Sequence, residues 1–100
     1  MAFEVRLLPE AEEDVFEIYL YVAEHGSAER ADAYDRRIRS SCRKLADFPN
    51  RGRPRDPLEP ALRSISFERR ATIYYRVTER IVEIVRVLHR GLDVDRQFTR

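Results

Sequence analysis

Nine side chains with usable chemistry crowd the second half of this sequence: Arg63, Arg69, Arg70, Tyr74, Tyr75, Arg76, Arg86, His89 and Arg90. Metal-free cleavage of a phosphodiester asks for such a set, with a base, an acid and cations around the scissile phosphate. Arginine keeps its proton in proteins, so a ribonuclease built here would use Tyr75 or His89 as base and Arg63 and Arg86 as cations. His89, at a strand end, suits a backbone hydrogen bond at least as well. Other chemistries find no residues. There is no glycine-rich phosphate loop, no Gly-x-Ser-x-Gly and no His-Glu-x-x-His. Cys42, His25 and His89 are too few for a tetrahedral zinc set, so no metal and no cofactor is expected. Glu12, Glu13 and Asp14 fit the positive end of a helix dipole better than a general acid–base pair.

The elements that must position these groups can be read from periodicity. Residues 3–8 alternate Phe3, Val5 and Leu7 against Glu4 and Arg6, the pattern of a strand. Pro9 opens a helix, where its missing N–H costs nothing, and Gly26 stops it after about Glu24. Ala11, Val15, Ile18 and Val22 form one apolar stripe, while Phe16 and Leu20 lie on another side. That second side meets either a neighbouring helix or a partner protein. Ser27 is a good N-cap for a second helix, in which Ala31, Tyr34, Ile38, Cys42, Leu45 and Phe48 keep the helical period to Pro49. Cys42 within that stripe is a small buried hydrophobe. Residues 49–60 hold four prolines and read as a loop with three exposed arginines.

Three strands follow: Leu62–Phe67, Thr72–Thr78 with Ile73, Tyr75 and Val77 on one face, and Ile81–His89. The last is apolar on both faces, with Val82, Ile84 and Leu88 set against Ile81, Val85 and Val87. Such a strand is central and covered on both sides, and one helical hairpin covers only one. The C-terminal tail or a bound partner should shelter the other. The expected fold is α+β: a strand, an antiparallel helical hairpin, then a three-stranded antiparallel meander in one mostly antiparallel sheet.

The 100 residues, 43% hydrophobic and 37% charged, suit one small domain spanning 1–100 and leave no room for a cofactor domain. No apolar run is long enough to span a bilayer and the start is unlike a signal peptide, so a soluble, cytoplasmic protein with no membrane partner is expected. The lone Cys42 fits a reducing compartment. The net charge of +1 hides a polarity: residues 1–35 hold ten acids and two bases, the remainder eight acids and seventeen bases. Part of this should be neutralised inside the hairpin, where the acidic start of the first helix runs beside the basic end of the second, whose outer side carries Arg36, Arg37, Arg39, Arg43 and Lys44. The rest should face an acidic partner. So weak a net charge does not suggest a sequence-specific nucleic-acid module.

Several short pieces recur in a telling order: Ala11-x-x-Asp14-Val15 leading to Ile18, Ala31-x-x-Tyr34 with Ile38, Leu45, Pro49-x-x-Gly52, Leu62-Arg63, Tyr74-Tyr75-Arg76-Val77, and Ile84-Val85-Arg86-Val87-Leu88-His89-Arg90. In that order the chain resembles the ParE/RelE superfamily of bacterial toxin–antitoxin toxins over nearly its whole length, and the final Arg-Val-Leu-His is similar to the ParE branch. The resemblance implies one of two activities. RelE-type members are ribosome-dependent ribonucleases; ParE-type members inhibit DNA gyrase by binding, and some serve plasmid stabilisation. Of the positions RelE-type enzymes use, Arg63 matches one, Thr72 stands at the third-strand entry, and the C-terminal pair falls near Gly91 and Phe98. Phe98 has no hydroxyl to act as acid or base. The resemblance therefore favours a non-enzymatic gyrase inhibitor, with an inactive toxin-derived binding scaffold as a third reading. It also implies a ParD-like antitoxin in a hetero-oligomer, for which Phe16, Leu20, Arg36, Arg39, Arg43, Arg63, Tyr74, Arg76, Arg86, Leu88 and Arg90 are candidate contacts.

Overall fold

The computed structural model describes residues 3–98. The elements run β1 (Glu4–Leu7), α1 (Pro9–His25), α2 (Ala28–Lys44), β2 (Arg53–Pro54), β3 (Arg63–Phe67), β4 (Ala71–Thr78), β5 (Ile81–His89) and α3 (Val94–Phe98). One five-stranded sheet has the order β1-β5-β4-β3-β2. Only the β1–β5 pair is parallel; the others are antiparallel. The architecture is the expected α+β fold, and β5 is an interior strand, flanked by β4 and, over Ile81–Ile84, by β1.

The helical hairpin follows from its caps. Pro9 occupies the first turn of α1, and the Ser27 hydroxyl accepts the Arg30 N–H at the start of α2. Across the hairpin, Tyr19 Oη donates to Asp32 at 2.7 Å and Arg39 reaches Glu12 at 2.9 Å, the register of an antiparallel pair. Ala11, Val15 and Ile18 of α1 and Tyr34, Ile38 and Cys42 of α2 pack on Ile73, Tyr75, Val82, Ile84 and Val87 of the sheet. Each fully buried aliphatic side chain contributes roughly 1.5–3 kcal/mol.

Four expectations need correction. α2 ends at Lys44: Leu45, Ala46 and Asp47 donate their N–H groups three residues back in tightened turns. The helical period is lost there, so Phe48 leaves the stripe and stands exposed. Residues 49–60 are not wholly loop, because Arg53–Pro54 pairs with Arg63 and Ser64. Phe16 and Leu20 are not buried against a neighbouring helix among the described residues; they are 60% and 49% exposed. The two faces of β5 are also divided differently. Opposite β4, Arg86 pairs with Tyr74 and Ile84 with Tyr75, which leaves Val85 as the extra residue of a bulge. The alternation slips there, so Val87 joins Val82 and Ile84 under the hairpin, while Leu88 joins Val85 on the far side.

On that far face Leu62, Tyr74 and Leu88 form a small second core, flanked by Leu58, Val85, Val94 and Phe98. The C-terminal segment supplies the cover as α3, with Phe98 edge-on to Tyr74 at 5.0 Å between ring centres.

Candidate functional site

The four side chains a ribonuclease would use sit in three separate places. Tyr75 is fully buried, and its hydroxyl donates to the Pro49 carbonyl and accepts the Gly52 N–H, both at 2.8 Å. Opposite it on β3, Arg63 donates to the carbonyls of Gly52 at 2.7 Å and Asn50 at 3.2 Å. Together they pin the 49–52 loop to the sheet. Burial pushes the Tyr75 phenol up from its ordinary value, an effect only partly offset by the Gly52 N–H. That direction makes its phenolate harder to form, the reverse of what a general base needs. A Cβ on Gly52 would stand 2.5 Å from the Tyr75 hydroxyl and 2.9 Å from the Ser64 carbonyl, so the loop accepts only glycine there.

Arg86 turns to α1. Its guanidinium grips Asp14 through two hydrogen bonds of 2.8 Å, and the same carboxylate accepts the Val87 N–H at 2.9 Å. The hydrogen bond from Asp14 holds the Arg86 guanidinium above its ordinary value against the opposing effect of burial. The cause is local: β1 pairs with β5 only as far as Ile84, so beyond it the edge of β5 needs another acceptor. Asp14 therefore does not serve the helix dipole; Glu10 and Glu12 occupy that first turn. A carboxylate set among Ala11, Val15 and Ile18 is a sequence signal of a buried partner, and the reading from charge clustering overlooked it.

His89 lies elsewhere again, edge-on to the Tyr21 ring at 5.7 Å between centres. Tyr21 also stacks on His25 at 4.1 Å and is 52% exposed. The periodicity reading passed over it because it belongs to neither apolar stripe.

The candidate contacts for a partner divide by accessibility. Phe16 and Leu20 form an exposed apolar ridge on α1, and Arg36 and Arg43 are exposed on α2. Arg39 is shared between Glu12 and Asp35, as the expected charge pairing within the hairpin requires. Arg76 pairs with Glu83 at 2.9 Å and approaches Glu59 at 3.6 Å. Arg90 is exposed and donates to the Arg69 carbonyl at 3.1 Å. Tyr74 and Leu88 are buried beneath α3. No group of His, Cys, Asp and Glu among the described residues is placed to hold a metal ion. No helix among them is long and apolar enough to cross a membrane.

The fold recurs in solved toxin–antitoxin structures. The chromosomal ParDE TA system from P. aeruginosa contains a chain that superposes with a TM-score of 0.78 at 21% identity, covering 88% of this chain and 96% of that one. A chain of the RelBE2 toxin–antitoxin complex from Mycobacterium tuberculosis superposes with a TM-score of 0.62 at 22% identity, covering 90% of this chain and all of that one. In sequence, Toxin ParE1 of Mycobacterium tuberculosis is 33% identical over 93 residues, 92% of this chain and 94% of that protein. Toxin ParE1 of Caulobacter vibrioides is 31% identical over 88 residues, covering 88% of this chain and 90% of its own. The model of the ParE toxin of the type II toxin–antitoxin system parDE matches residues 5–94. With a match of that extent and relatives of that identity, the chain belongs to the ParE toxin family of type II toxin–antitoxin systems.

Proposed function

We propose that this chain is a toxin that inhibits DNA gyrase by binding, without catalysing a reaction itself, and that a ParD-like antitoxin holds it inactive. The observation that carries this reading is the dispersal of the ribonuclease candidates. Arg63 and Tyr75 fasten a loop, Arg86 fastens α1 to β5, and His89 stands apart beside Tyr21. These four side chains do not converge on one point where a phosphate could sit. The exposed ridge of Phe16 and Leu20 supports recognition of a protein, since buried apolar anchors supply most of the affinity of such interfaces. Arg36 and Arg43, exposed on the adjoining helix α2, would steer an acidic segment of the antitoxin.

The test uses purified toxin freed of antitoxin. Loss of gyrase supercoiling, or accumulation of cleaved DNA, at near-stoichiometric toxin is the expected result. Normal supercoiling at large excess overturns it. New messenger RNA ends in a ribosome-containing extract would favour the ribonuclease, and normal growth on antitoxin-free expression an inactive scaffold.

A further inference from the structure

We propose that the end of the molecule where the helical hairpin meets the β3–β4 turn binds the phosphate backbone of a single-stranded polynucleotide without sequence preference. Three adjoining clefts run across this end. The first, about 400 Å³, is bounded by His25 of α1, Arg30 of α2 and Arg70 of the turn. The second, about 300 Å³, continues it past Tyr21 to Arg69 and Arg90, and the third, about 290 Å³, extends along the far side of those arginines. No acidic residue lines any of them, although the chain holds eighteen. The hollow next to them, by contrast, is walled by Asp14 and Glu17.

The turn that presents these arginines is strained. Glu68 and Arg69 have φ values of 49° and 58°, in the left-handed region that tight hairpin turns usually give to Asn and Gly. Arg90 holds the turn by donating to the Arg69 carbonyl, and Arg37 holds it through Glu68 at 2.7 Å. That pair also neutralises the Glu68 carboxylate. Arg90 keeps its charge but spends an N–H on the Arg69 carbonyl; Arg30, Arg69 and Arg70 make neither an ion pair nor a side-chain hydrogen bond among the described residues, which leaves three guanidinium groups wholly available at the clefts.

Aromatic rings favour a polynucleotide over an acidic peptide as the occupant. Tyr21, stacked on His25 and edge-on to His89, offers a half-exposed ring beside the cationic groove, the pairing that binds bases and phosphates together. A peptide would need apolar anchors, and the aliphatic lining is limited to Val22 and small alanines. Phe16 and Leu20 lie outside all three clefts. The net charge of +1 gives little long-range attraction, so binding depends on these local contacts.

The experiment is fluorescence anisotropy of a labelled oligothymidylate with the full chain between about 50 and 200 mM salt. Three phosphate contacts predict a log–log salt slope near roughly −2. The double variant Arg69→Ala/Arg70→Ala should weaken binding at least tenfold and bring the slope to about −0.7, while Arg80→Ala at the opposite turn leaves both unchanged. Arg30→Ala, outside the strained turn, should lower the slope by about 0.7 and serves if the double variant fails to fold. Tyr21→Ala should weaken binding to the oligothymidylate but not to an abasic oligomer of the same length. Salt-independent binding, no binding at the lowest salt, or indifference to the arginine variants overturns the proposal. So does a polyglutamate peptide that displaces the oligomer at lower concentration. These outcomes are read without gyrase or antitoxin, so they stand apart from the gyrase-inhibitor reading.

Discussion

Asp14 and Arg86, seventy-two residues apart in sequence, face each other through paired 2.8 Å hydrogen bonds where β1 stops and α1 takes over the edge of β5. Both side chains are largely buried, at 10% and 14% exposure. Removing one partner strands a buried charge, and removing Asp14 also orphans the Val87 N–H. Asp14→Ala should cost about 3 kcal/mol, lowering the melting temperature by more than about 10 °C. The double variant Asp14→Ala/Arg86→Met should lose less than the two single variants together, by about 1 kcal/mol or more. Strict additivity in thermal melts would show that the pair is not coupled.

Tyr75→Phe tests the loop lock. It leaves the buried Gly52 N–H and the Pro49 carbonyl without their partner, at a cost of about 1–3 kcal/mol. Gly52→Ala should cost at least as much, because its Cβ meets the phenol and the β3 backbone together. Folded Tyr75→Phe protein should still arrest growth when expressed without antitoxin. Loss of arrest at a normal melting temperature would return Tyr75 to a chemical role.

Phe16 and Leu20 separate binding from folding. Because both are exposed, Phe16→Ser/Leu20→Ser should leave stability within about 0.5 kcal/mol of the parent. If the ridge anchors the antitoxin, calorimetric titration should show a loss of about 2 kcal/mol or more in binding, roughly thirtyfold. Unchanged affinity would move the interface off this ridge.

Cys42 should behave as buried hydrocarbon. Burial pushes its thiol up to about 12. A thiol-reactive dye at pH 8 should therefore label the native protein only through unfolding, and the urea-unfolded protein at once. The sign of the linkage follows. The folded thiol ionises at higher pH than the unfolded one, so its contribution to stability is complete below about pH 9 and lost as pH rises towards 12. Cys42→Ala should remove that part of the alkaline loss, measured as the difference between the two denaturation profiles.

Much of the fold can be read from local pattern, and the parts that cannot have identifiable reasons. Pro9, Ser27 and the stripes of Ala11, Val15, Ile18 and Ile38 dictate the hairpin, because caps and 3.6-residue periodicity are short-range properties. The run from Ile81 to His89 announces an interior strand through its β-branched residues. Its bulge at Val85 leaves no trace in such a run: with both faces apolar, no polar residue marks the change of phase. α3 has five residues, too few for a helical period to register. At the candidate site, Arg63, Tyr75 and Arg86 are visible as chemistry, but their partners are backbone carbonyls and a distant carboxylate, so composition could not tell a structural arginine from a binding one. The acid-free clefts depend on which arginines the turns bring together, and that is a property of the tertiary structure.

The parallel pairing of β1 with β5 also sets an order of events during synthesis. Leu7 finds its strand partner at Ile84, so at roughly 5–20 residues per second β1 waits roughly 4–15 s for it on the ribosome. Once Lys44 has been added, about halfway through that interval, both helices of the hairpin are complete, while the strands that bury their core stripe have yet to be translated. Phe16 and Leu20 are on offer from the outset; the arginine-lined end comes into being last.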